Sequence, residues 1–124
     1  MLKYSLLLLA ILIGAIGQIL LKIGVNQSLP QIGNVNSFKE IFLIIFIFLK
    51  NYWIVTAILL YALGLFVWLF ILTKFELSYV FPLMASIYIF ILLFSWIFLK
   101  ENIDLLRIIG TILITIGIIL IAKS

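Results

Sequence analysis

The sequence predicts an all-α membrane protein of four transmembrane helices, with room for a short interfacial helix between the first and the second. Eight basic and four acidic side chains are all the charge that 124 residues carry, and 68% of the chain is hydrophobic. Mean hydropathy reaches +1.49. The charges also fall at revealing places: residues 4–21, 51–73 and 77–99 are uncharged runs, and 108–122 is a fourth. A hydrocarbon core of about 30 Å takes roughly 20 apolar helical residues, so the first three runs have bilayer length, and the fourth reaches it if its helix starts near Ile103.

The first span is expected over 4–24, between Lys3 and the polar stretch that follows Gly24. Val25–Ser37 contains Asn26, Gln27, Ser28, Pro30, Gln31, Gly33, Asn34 and Asn36 and predicts a loop. The early apolar run followed by Ala15-Ile16-Gly17 has the look of a cleaved signal segment. Apolar residues continue well past that site, however, and the segment is expected to be retained. Ile41–Leu49 is wholly apolar, but as a helix it measures only about 13 Å, too short to span. Ser37 and Glu40 have the spacing of a capping box. The preferred reading of 38–50 is a short helix in the interface or against the bundle. The alternative is one long tilted helix over 38–73, with Lys50 snorkelling outward.

The second span is expected over 52–73, with Tyr52 and Trp53 as interface anchors. Lys74-Phe75-Glu76 is a tight link, so the second and third spans form an antiparallel hairpin. The third span, 77–99, holds Pro82, expected to kink its first turns. Lys100-Glu101-Asn102 leads to the fourth span, 103–122. Four spans place both termini on one side. The basic residues divide almost evenly between the two sides, so orientation is weakly set.

Function must be sought in the few polar groups inside. With neither Cys nor His, disulfides, metal sites and imidazole acid–base chemistry are not expected. No phosphate-binding Gly loop, zinc-protease pair or nucleophile elbow occurs. An enzyme, a metal centre and a bound cofactor are therefore not expected. The sequence pI near 9.5 reflects anchors at anionic headgroups rather than affinity for nucleic acid. Ala10, Gly14, Gln18 and Lys22 recur every four residues and share one helix face, running from small to polar. Tyr79, Pro82 and Ser86 share a face of the third span. Gly110 and Gly117 lie one heptad apart on the fourth, a smooth strip suited to dimer packing. Glu40, Glu76, Glu101 and Asp104 all fall at span ends, so no deep carboxylate is available for proton coupling.

Gly17-Gln18-Ile19-Leu20-Leu21-Lys22, Tyr61-Ala62-Leu63-Gly64 leading into Trp68, Leu77-Ser78-Tyr79-Val80-Phe81-Pro82-Leu83, and Ser95-Trp96-Ile97-Phe98-Leu99-Lys100-Glu101 followed by Gly110 and Gly117 together resemble the small four-helix branch of the drug/metabolite transporter superfamily. The small multidrug resistance exporters share the Gly17 and Lys22 spacing and the glycines of the fourth helix. Where they carry a membrane-embedded Glu this chain has Gly14, and their substrate-facing Tyr and Trp correspond to Val80 and Leu83. The chain is more similar to the subunits that flip 4-amino-4-deoxy-L-arabinose-phosphoundecaprenol, through Gly17-Gln18, Phe81-Pro82-Leu83 and Glu101. That resemblance implies a flippase of a polyprenyl-phosphate-linked sugar or similar anionic lipid in the bacterial inner membrane. It also implies a homodimer or a heterodimer with a related subunit. Lys22 and Arg107 are the candidates to hold phosphate, with Gln18, Tyr79 and Ser86 lining the path. Gly14, Gly17, Pro82 and Glu101 are structural or gating candidates, and Gly110 and Gly117 mark the dimer face. Export of a small metabolite or cationic compound is the alternative. A non-transporting subunit of a larger complex is a third reading.

Overall fold

The computed structural model describes residues 1–34 and 36–124; Val35, within the expected loop, lies outside them. Among the described residues the fold is all helical, with no strand. In chain order the helices are α1 (Leu2–Ser28), α2 (Phe38–Lys50), α3 (Tyr52–Leu72), α4 (Leu77–Met84), α5 (Ile87–Phe98) and α6 (Leu105–Ala122). α1, α3, the α4–α5 pair and α6 are each long and apolar enough to cross a membrane.

α1 is the central helix, packing most extensively on α3 and next on α5. It runs past the expected end at Gly24 to Ser28, and a 3-10 turn over Leu29–Gln31 follows. Polar residues propagate the helix here because they find partners. Ser28 is 2% exposed, and its hydroxyl donates to the Gly24 carbonyl at 2.9 Å. Pro30 needs no N–H at the start of the 3-10 turn.

Asn51 decides how the next segment folds. Its backbone is extended, with φ −80° and ψ 125°, so α2 and α3 are separate helices and the long tilted helix over 38–73 does not form. The Asn51 Oδ1 accepts from the Trp53 and Ile54 N–H groups at 3.0 and 3.3 Å, capping α3. Its Nδ2 donates to Gln27 Oε1 at 3.3 Å and Ser28 Oγ at 3.5 Å, joining this corner to the end of α1. α2 rests lightly on α3 and α1 and buries no residue. The expected capping box forms only in part. Glu40 accepts from the Asn36 N–H rather than from Ser37, and the Ser37 side chain makes no capping bond.

The third span is interrupted at Ala85-Ser86, beyond Pro82 rather than in the first turns. Around this point the backbone changes to i→i+3 bonding: Ala85 to Pro82, Ser86 to Leu83, Tyr88 to Ala85 and Ile89 to Ser86, all at 3.0–3.1 Å. The tighter winding shifts the face that α5 presents relative to α4. α6 starts at Leu105, later than the expected Ile103, because Asp104 caps it by accepting from the Arg107 N–H at 3.0 Å.

The packed core lies toward the termini, where Leu7, Ala10, Ile11, Ile71, Val80 and Leu83 form one buried cluster. Aromatic rings cover that end. Tyr4 meets Phe75 edge-on at 5.4 Å, Phe75 stacks on Tyr79 at 5.8 Å, and the Lys3 Nζ stands 5.0 Å above the Phe75 ring. α6 is the least buried of the four spans.

Candidate functional site

The α1–α5 seam is closed at one level and open at the next. Gly14 and Ile87 touch so closely that a Cβ on Gly14 would collide with the isoleucine. One turn further on, the rows Gln18–Lys22 and Ile91–Ser95–Leu99, each spaced by four residues, face one another across a cleft. Gln18, Ile19, Lys22, Ile91, Ser95, Leu99 and Glu101 line it, and its volume is about 230 Å³. The glycine thus brings the helices together, and larger polar side chains above it hold a space between them.

Glu101 reaches the cleft through the turn after α5. Lys100 adopts the left-handed conformation, with φ 55°. The chain there bends back so that the Glu101 N–H donates to the Ser95 carbonyl at 3.1 Å, an oxygen that also accepts from Leu99 at 3.2 Å. Lys22 and Glu101 both line the cleft, yet among the described residues the one ion pair is Arg107–Asp104. The base and the acid are therefore both available to a ligand bearing charge or hydrogen-bonding groups. Next to Glu101 the cleft meets a wider, open mouth of about 400 Å³ bordered by Trp96, Ile97, Lys100 and Asn102.

Of the residues singled out in the sequence, Gln18, Lys22 and Glu101 come together here. Tyr79 does not. It lies at the terminal end, where its hydroxyl donates to the Ala122 carbonyl at 3.3 Å. Ser86 does not line the cleft either; its hydroxyl donates to the Leu83 carbonyl at the helix interruption. Arg107 is not among the lining residues. Its Nη1 donates to the Asn102 carbonyl at 3.0 Å, and its Nε stands 4.0 Å from Asp104 Oδ1. Pro82 sits in α4, below the cleft, with no lining role there.

Gly17 packs on α3, where a Cβ would stand 2.9 Å from the Tyr61 ring. The Tyr61 hydroxyl is buried without a hydrogen-bond partner. Gly110 and Gly117 have nothing within 4 Å of where a Cβ would be, and lie on an open face of α6. Ser95 was not singled out as a site residue. The signal available was its place as a small hydroxyl residue in the otherwise apolar or aromatic run 87–98, four residues before Leu99 and on the face that meets Gln18.

Comparison with curated proteins and with solved structures gives no match. Comparison with protein families gives a match over residues 1–123 to the EamA-like transporter family, within the drug/metabolite transporter superfamily. With four membrane-length helices in the fold and the match spanning nearly every residue, the chain belongs to the EamA-like transporter family.

Proposed function

We propose that this membrane transporter moves an anionic lipid, a polyprenyl-phosphate-linked sugar in the first instance, across the bacterial inner membrane. The observation that carries the reading is the cleft between α1 and α5, which joins Lys22, Gln18, Ser95 and Glu101 in one opening beside the lipid-facing surface. A flippase must shelter only the polar head, because the chains stay in hydrocarbon throughout. Lys22 supplies the charge for a phosphate, and Gln18 and Ser95 supply hydrogen bonds to hydroxyls. Gly14 acts as the contact about which α1 and α5 open, and the aromatic cluster of Tyr4, Phe75 and Tyr79 closes the opposite end. Arg107 serves the start of α6 in this account rather than the phosphate. The open glycine strip of α6 is the face through which two subunits pair, identical or related.

The test is head-group flipping in reconstituted vesicles, measured as accessibility of the head to an impermeant reagent. Lys22→Ala is expected to abolish flipping while leaving helicity and yield unchanged, and an unchanged rate would refute the site. Glu101 favours one other reading, export of a small cationic compound, since it places an acid in the same cleft. Saturable binding of a quaternary ammonium compound, lost in Glu101→Gln and retained in Lys22→Ala, would select that reading instead.

A further inference from the structure

Two bordering residues, Glu101 and Trp96, link the cleft to an apolar groove on the lipid-facing side of α5. Glu101 borders both the cleft and its mouth. Trp96, 60% exposed, borders both the mouth and a groove between α5 and α6 of about 480 Å³. That groove is walled by Leu92, Leu93, Ile103 and Ile108 and presents almost no polar surface. The order along this surface is cation and amide, then mouth, then indole, then hydrocarbon, which is the order of polarity along a lipid from phosphate to chain. An indole at the step between them suits the boundary, being apolar in its rings and a donor at its N–H.

A second apolar groove, of about 370 Å³, lies between α1 and α5 around Leu20, Ile23 and Phe98. It shares only Ile19 with the cleft, and Ile19 is 9% exposed, so a chain entering it from the cleft would have to pass through packed side chains. Glu101 and Trp96, which border the other side, are both exposed.

We infer that the α5–α6 groove seats the hydrocarbon chain of the transported lipid while its phosphate lies against Lys22. This inference rests on the reading of the cleft given above and adds where the chain goes. The groove competes with bulk acyl chains of equal apolarity, so it contributes van der Waals fit rather than transfer from water. Its effect is added affinity for a chain that fits, beyond ordinary partition into the bilayer.

The experiment uses the full chain in phosphatidylcholine nanodiscs, with farnesyl phosphate and inorganic phosphate as probes and intrinsic Trp fluorescence and native mass spectrometry as readouts. Farnesyl phosphate is expected to bind more tightly than inorganic phosphate at equal bulk concentration. Leu92→Trp and Ile108→Phe, which fill the groove, are expected to weaken farnesyl phosphate by about tenfold and to leave inorganic phosphate unchanged. Leu20→Trp and Ile23→Trp, in the other groove, are expected to change neither. Farnesyl phosphate binding unaffected by Leu92→Trp and Ile108→Phe, yet lost in Lys22→Ala, would overturn the chain site and leave the cleft standing. Loss on filling the α1–α5 groove would likewise overturn it. Binding indifferent to Lys22→Ala would remove the cleft reading itself.

Discussion

Gly17→Ala tests the closeness of the α1–α3 seam that supports one wall of the cleft. The added Cβ would stand 2.9 Å from Tyr61 Cζ and 3.1 and 3.3 Å from its two Cε atoms. Carbon atoms settle at about 3.5–4.0 Å, so the ring must retreat by roughly 0.6 Å or α1 must lift away. Overpacking of this kind costs about 1–3 kcal/mol. Against it stands the helix propensity of Ala over Gly, about 0.8–1.0 kcal/mol. The net expectation is a loss of about 1 kcal/mol. The assay is reversible unfolding by sodium dodecyl sulfate in mixed micelles, followed by far-UV circular dichroism. A double-mutant cycle supplies the control: in a Tyr61→Leu background the ring is gone, and Gly17→Ala should then cost nothing or stabilise. If Gly17→Ala stabilises the otherwise unaltered protein by the full propensity gain, the ring does not lie on Gly17 and the seam is looser than described.

Three other outcomes are expected. Tyr61→Phe removes a buried hydroxyl that has no partner, and should be neutral to stabilising by about 1 kcal/mol in the same unfolding assay. Lys100→Gly relieves the left-handed backbone of a residue with φ 55° and should raise stability by up to about 1 kcal/mol; a clear loss would mean that the turn is held some other way. At Gly110 and Gly117 an added Cβ meets nothing within 4 Å in the subunit, so Gly110→Ile and Gly117→Ile should keep helicity while the proposed dimer separates. Subunit counting by photobleaching in bilayers reads that change.

The four spans were legible because charge is so scarce that its positions mark the membrane boundaries. The breaks inside and beside them were not. Asn51 ends one helix and caps the next through Oδ1, and its Nδ2 holds the corner to Gln27 and Ser28, more than twenty residues earlier in the chain, a relation that local pattern does not carry. The same contacts let α1 continue through Asn26, Gln27 and Ser28, which in isolation read as loop formers. In the third span, grouping Tyr79 with Ser86 assumed 3.6 residues per turn throughout. The i→i+3 bonds at Ala85 and Ser86 invalidate that assumption, and Ser86 spends its hydroxyl on the backbone there. On α1 the period is unbroken, and Gly14, Gln18 and Lys22 do share the face that meets α5. Ser95 stands in the sequence only as part of the Ser95–Glu101 motif, because what sets it apart is the Gln18–Lys22 row that shares the cleft with it. Arg107 was grouped with Lys22 by charge alone, whereas its side chain is engaged at the start of its own helix.

The chain has no cysteine, so single cysteines report on one position each, and Gln18→Cys probes the cleft most directly. In nanodiscs, labelling of Gln18→Cys by a water-soluble maleimide should be slowed by farnesyl phosphate in a saturable way, with Ser124→Cys, exposed beyond the end of α6, unaffected. If the lipid phosphate saturates the protein by native mass spectrometry and Gln18→Cys still labels at its original rate, the polar head does not enter between α1 and α5.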